Sequence, residues 1–325
     1  MDVALSLSQA IDHHRAGRLA EAATLYRAVL AAEPNHAEAL HMLGAATLQA
    51  GDPHAALPLV RRAVALDQRN PRMRMTLGKV MLALNDPDDA LHFFRYATAL
   101  ALDFAPAHNG IGEVLRDLGR LEEARAALEL ALRCDPRLVE AHFNLATVLQ
   151  AQGDLAGAVQ RYRATLELAP ALPAAELNLG IALALSGDAE AALAHLERAR
   201  ASLPNSIEAL SNLGGAYGQL GRHDEAVARH RAALKLAPRA AHLHFNLGSA
   251  LSAQGMQEGA LVAYRDALQL DPNFAAAADA ARDLCERLGR PEEAARYVRA
   301  AKSSTSPSSA RPSSSVSPSN ATGTR

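Results

Sequence analysis

Shifted by 34 residues, this sequence falls back on itself. The registers 3–36, 37–70, 71–104, 105–138, 139–172, 173–206, 207–240 and 241–274 follow one another without insertion or deletion, and a partial ninth runs from 275 to about 302. Each register reads as two short amphipathic helices. In 207–240, an outgoing helix is expected over 207–220 and a returning one over 223–236, with Gly221 at the turn and Pro238 at the exit. A hairpin of this size cannot bury its apolar face alone, so the units must lean on one another. The repeat therefore overrides the two-domain count that 325 residues would otherwise suggest.

Three columns carry the framework. Alanine recurs in every unit as Ala22, Ala56, Ala90, Ala124, Ala158, Ala192, Ala226, Ala260 and Ala294. A small residue held at one register is what a close crossing of antiparallel helices demands. A second small column lies on the outgoing helices: Gly44, Gly78, Gly112, Ala146, Gly180, Gly214 and Gly248. Glycine costs about 1 kcal/mol of helix propensity against alanine, so its recurrence points to steric need. The turn column is Gly17, Gly51, Gly119, Gly153, Gly187, Gly221, Gly255 and Gly289, with Asn85 as the one exception. Glycine and asparagine are the residues that accept a left-handed helix terminus.

Asp52-Pro53 and Asp86-Pro87 fit a cap followed by a first-turn proline, and Asn35…Glu38 and Asn205…Glu208 match capping boxes. Core lines are expected through Leu43, Leu77, Ile111, Leu145, Leu179, Leu213 and Leu247, and through Tyr26, Val60, Phe94, Leu128, Tyr162, Leu196 and Tyr264. His230 fills the gap in the second line as a half-buried, hydrogen-bonded residue. Pro58 should break one backbone bond and bend its helix. Gln68 and Leu102 stand where other units have an exit proline. The stretch 58–104 is thus expected to be less regular.

Composition narrows the function. The formal charge is −2, which gives no strong attraction to nucleic acid or an acidic membrane. Cys134 and Cys285 are too far apart for a metal-type pairing and read as two reduced thiols. With no basic leader and no run of 18 apolar residues, a cytoplasmic protein is expected. The thirteen histidines, including His13-His14, His108, His142, His242 and His244, match no ligand spacing and read as surface or groove residues. No nucleophile elbow, phosphate loop or HExxH motif occurs, so neither catalytic residue nor cofactor is expected. The segment 303–325, rich in Ser and Pro, is expected to be a disordered tail.

The spacing, the alanine near the start of each second helix and the closing proline resemble the tetratricopeptide repeat family over about residues 3–302. The wording NLG…GR.DEA…AL.L.P is most similar to repeats of the O-linked N-acetylglucosamine transferase family and its bacterial relatives. The resemblance implies an all-α, α/α superhelical solenoid whose concave groove, lined mainly by first helices, holds extended peptides or partner helices. It also implies that asparagines at matching positions hold substrate peptide.

Those positions are Asn144, Asn178, Asn212 and Asn246, each just before a core leucine. Read from the residues alone, a carboxamide supplies both donor and acceptor and suits a peptide backbone. The alternative is that the four merely bond water or a neighbouring helix. Asn109 is displaced by one residue, and the column reads Met42, Thr76 and Gly110 earlier. Phe143, Thr147, Ser211 and Phe245 should share that face. Paired Lys and Arg of the kind that clamp acidic tails are confined to Arg72 and Lys79. The chain therefore reads as a non-catalytic protein- or peptide-binding scaffold. The alternative is the recognition arm of a glycosyltransferase- or sulfotransferase-type enzyme. Self-association through the solenoid ends, with 5–11 as a contact, is a third and lesser reading.

Overall fold

The computed structural model describes residues 2–303, with side chains to 297. Eighteen α-helices and no strand are found among the described residues, as the repeat demands. These residues form two compact units, 2–168 and 169–303. In the first, the outgoing helices are α1 (Val3–Arg15), α3 (Ala37–Gln49), α5 (Pro71–Ala83), α7 (Ala105–Asp117) and α9 (Val139–Ala151). They alternate with the returning helices α2 (Leu19–Ala32), α4 (Pro53–Leu66), α6 (Pro87–Leu100), α8 (Leu121–Cys134) and α10 (Leu155–Leu168). In the second, the outgoing α11 (Pro173–Leu185), α13 (Ile207–Gln219), α15 (Ala241–Ala253) and α17 (Ala275–Arg287) alternate with α12 (Ala189–Ser202), α14 (His223–Leu236), α16 (Gln257–Leu270) and α18 (Pro291–Ser303). The Ser- and Pro-rich tail lies outside the described residues from 304 onward.

Backbone geometry explains the turn column. Every turn glycine has positive φ, from 69° at Gly289 to 89° at Gly187, and Asn85 takes the same conformation at 60°. The left-handed residue lets the chain close two bonds over the helix end: Gly51 N–H donates to the Leu48 carbonyl (3.0 Å) and Asp52 N–H to the Thr47 carbonyl (3.1 Å). The carboxylates of Asp52 and Asp86 then cap the returning helices, accepting from the backbone of Ala55 (2.9 Å) and Asp89 (3.1 Å). The expected capping boxes are offset by one. His36 Nδ1 accepts from Ala39 N–H (3.3 Å) and Ser206 Oγ from Ala209 N–H (3.1 Å). The first helical residues are Ala37 and Ile207, which places Asn35 and Asn205 outside the cap; Asn35 instead accepts from Arg62 (2.7 Å).

The small columns mark where the two helices of a hairpin touch. All nine framework alanines are buried. A Cβ built on Gly180 would lie 2.6 Å from Leu196 Cγ, on Gly78 2.7 Å from Phe94 Cε1, and on Gly248 2.6 Å from Tyr264 Cε1. In each case the obstacle is the large residue sixteen positions on, so glycine and bulky filler are one device written on two helices. The core lines are buried as expected, except that Leu247 is only half covered. Helix α4 passes through Pro58 without interruption: proline removes one donor, while Ala56 and Val60 on either side stay fully buried. The exits lacking proline are held otherwise. His108 Nε2 donates to the Leu102 carbonyl (2.9 Å), and Arg74 reaches the Gln68 carbonyl at 3.4 Å. His142 and His244 do the same to the carbonyls of Pro136 (3.0 Å) and Pro238 (2.9 Å). These three histidines sit at one register and pin loops; His108 and His142 are buried, not at the surface.

His230 is buried against Gly214, and its Nδ1 has no hydrogen-bond partner, so the expected hydrogen-bonded half-burial is corrected to full burial with that nitrogen unpaired. Burial pushes its pKa from 6.5 down to about 4. The unfolded ring takes up a proton below pH 6.5 and the folded ring only near 4. The stability from keeping it neutral is thus intact above 6.5 and lost as pH falls through that window. His230→Leu, which copies Leu128 and Leu196 at the same register, should remove about 2 kcal/mol of the stability loss between pH 7 and 5. Urea unfolding of both proteins at the two pH values checks this. Packing makes a second prediction. Gly180→Ala should destabilise by about 1–3 kcal/mol, whereas Gly215→Ala, with nothing within 4 Å of its new methyl, should stabilise by about 0.5–1 kcal/mol. Thermal melts of the pair measure the contrast.

Candidate functional site

In each unit, outgoing helices touch not only their returning partners but also one another. α1 meets α3, α3 meets α5, α5 meets α7 and α7 meets α9 in the first unit; α11 meets α13 and α13 meets α15 in the second. Among the described residues, successive returning helices make no comparable contact. The outgoing helices therefore line the shorter, inner side of each unit. Asn144 belongs to the first unit, and Asn178, Asn212 and Asn246 to the second.

Side chains on this inner side meet at an offset of 35, one more than the repeat. His41 Nε2 lies 2.8 Å from Thr76 Oγ1, Asn144 Nδ2 donates to Asn109 Oδ1 at 3.0 Å, and Asn246 Nδ2 donates to Ser211 Oγ at 3.2 Å. His14 with Gln49 makes another such rung at 3.0 Å. The displacement of Asn109 by one residue is thus what allows it to reach Asn144.

The four asparagines consequently do different things. Asn144 is buried and engaged at both ends of its carboxamide, since Arg116 Nη1 donates to its Oδ1 at 3.0 Å. Thr147 is drawn into the same network, donating to the Asn144 carbonyl (2.7 Å) and accepting from Arg116 (3.4 Å). Arg116 is anchored by Asp117 and keeps only 15% of its side chain exposed. Asn246 is tied to Ser211. Asn212 donates to the Glu208 carbonyl of its own helix (2.9 Å), leaving its oxygen unspent. Asn178 is half-buried and has no hydrogen-bond partner among the described residues. Phe143 and Phe245 are half-buried: Phe143 packs edge-on to Tyr162 (5.8 Å between centroids) and Phe245 lies between Tyr264 (5.8 Å) and Phe274 (5.2 Å). Each offers one side to solvent and one to the core.

Sequence reasoning missed Arg116 and Glu113 on α7, and the His41–Thr76 pair. Burial first, then the Arg72 and His14 charges, push His41 from 6.5 to about 4, so it is neutral at pH 7. A cleft of about 610 Å³ opens beside it, lined by His36, Glu38, His41, Asn70, Arg72 and Met73 among others. No three His, Cys, Asp or Glu side chains gather as metal ligands among the described residues. Nor is any described helix long and apolar enough to cross a membrane.

Models of known families match along the chain. Residues 15–97 match "Anaphase-promoting complex, cyclosome, subunit 3", residues 112–153 a TPR repeat, and residues 172–239 and 205–273 the tetratricopeptide repeat. The repeats within 112–153 and 172–273 are tetratricopeptide repeats. No curated protein matches the chain. Among solved structures, the Cut9–Hcn1 hetero-tetramer of the APC/C aligns with a TM-score of 0.65 at 18% identity over 86% of this chain and 55% of that one. This TPR chain thus spans little more than half the length of that neighbour. PilF of Pseudomonas aeruginosa aligns at 0.58, with 22% identity over 62% and 92% of the two chains. YrrB, titled a TPR protein with an unusual peptide-binding site, aligns at 0.51 with 23% identity over 57% and 96%. At these identities the likeness is one of fold.

The split among the asparagines is measurable. Asn144→Ala strands the Asn109 carbonyl and one Arg116 donor and should cost about 1–3 kcal/mol. Asn178→Ala should change stability by less than about 0.5 kcal/mol. Chemical denaturation of the two variants tests this.

Proposed function

We propose that this TPR chain is a non-catalytic scaffold that holds an extended protein segment along the inner side of its second unit, with Asn178 and Asn212 gripping the segment's backbone. The observation that carries the reading is the half-buried carboxamide of Asn178, which no described residue engages, followed one repeat on by the oxygen of Asn212, likewise unengaged. Packed helices lie about 8–10 Å apart, which is about three residues of extended chain at ~3.3 Å each. Amides repeating at that interval can address every third peptide unit without reading its side chain, and the exposed sides of Phe245 and Ile181 supply apolar contact. Asn246 and Ser211 serve this surface by holding α15 to α13, not as free ligands. The family models that match describe repeats, and YrrB, a neighbour in fold, is titled for peptide binding. The free thiols Cys134 and Cys285 suit a reducing, cytoplasmic setting.

Replacing Asn178 and Asn212 together by alanine should reduce capture of native partners from lysate at least about fivefold, corresponding to one or two lost hydrogen bonds. Far-UV circular dichroism should remain unchanged. Equal capture by variant and wild type, with mass spectrometry identifying the same partners, would reject the role given to these amides.

A further inference from the structure

The inner side of the first unit carries a carboxylate that no described residue satisfies. Glu113 lies on α7, one turn beyond Asn109 and one turn before Asp117. Arg116, three residues on, is the cation a helix would ordinarily bring to it. Here Arg116 is turned away: Nε and Nη2 donate to Asp117 Oδ1 at 2.9 and 2.8 Å, and Nη1 donates to Asn144 Oδ1 and Thr147 Oγ1 at 3.0 and 3.4 Å. Lys79, at the same register one outgoing helix earlier, is exposed. Glu113 has neither an ion pair nor a hydrogen bond among the described residues. Burial raises its pKa, and the charges of Arg116 and Lys79 only partly oppose that rise against Asp117. An opposite charge brought to a half-desolvated carboxylate gains more than it would on open surface.

We infer that the inner side of the first unit also takes a protein segment, and that Glu113 receives a lysine or arginine side chain of it. This rests on the reading of the outgoing helices as a segment-binding face, and adds to it the chemistry of one residue of the partner. The neighbouring rung assists: Asn109 Oδ1 is spent on Asn144, while its Nδ2 remains free to donate to a backbone carbonyl next to the basic residue. Selectivity is local to the first unit, because the Glu113 register reads Ile181, Gly215 and Ser249 in the second.

The test is an array of 15-residue peptides in a mixed Ala/Ser/Thr/Val/Asn background with the central residue fixed as Arg, Lys, Gln or Glu, probed with labelled full-length protein. Wild type should favour Arg and Lys over Gln by about tenfold, the worth of one charged hydrogen bond. Glu113→Gln should bind all four sets alike at the Gln level, with an unchanged or raised melting temperature. Glu113→Lys should favour central Glu. Wild type binding all four sets alike, or Glu113→Gln keeping the basic preference, overturns the assignment while leaving the segment-binding face intact. No binding to any set overturns both.

Discussion

The close approach of two helices within each hairpin is the contact from which the rest of this molecule follows. Gly180 can lie against Leu196 only because it lacks a Cβ, and Gly78 against Phe94 for the same reason. That approach buries the alanine column completely and leaves the outgoing helices free to touch one another on one side only. A surface made of successive outgoing helices is the outcome. The glycines give up helix propensity for it, and packing against a large partner sixteen residues later more than restores the loss.

The columns were legible because each answers a single local demand. Positive φ selects glycine and admits Asn85; a tight crossing selects glycine or alanine. Where two demands meet, reading the chain by type was less sure. Asn35 and Asn205 look like caps, but where each helix starts gives that task to His36 and Ser206. Pro58 looks like a break, yet burial on both sides carries the helix through it. His108 and His142 are polar by composition and structural by position, each spending its ring on a carbonyl six residues back.

The inner side was legible in location and not in detail, for a geometrical reason. Repeats are recognised at a spacing of 34, whereas the level rungs across neighbouring outgoing helices, Asn144 with Asn109, Asn246 with Ser211 and His41 with Thr76, are 35 apart. A column of identical asparagines therefore does not contact itself; one that is tied across helices meets what stands one place earlier in the preceding repeat. For Asn144 that is Asn109 and for Asn246 it is Ser211, while the place one position earlier for Asn212 is the apolar Leu177, which offers no hydrogen bond. Identical letters thus acquire different duties: Asn144 and Asn246 are tied to a neighbouring helix, Asn212 to its own, and Asn178 to no described residue.

Helix α13 bears on this in one more way. Gly214 is filled from behind by His230, but Gly215 and Gly218 face open space, with no atom within 4 Å of where a side chain would begin. Along that strip the molecule presents bare main chain, lower than the rows on either side at Ile181 and Ser249. Such a dip leaves room for the bulk of a large side chain, so a segment held there as proposed would meet relief where one on the first unit would meet the charge of Glu113.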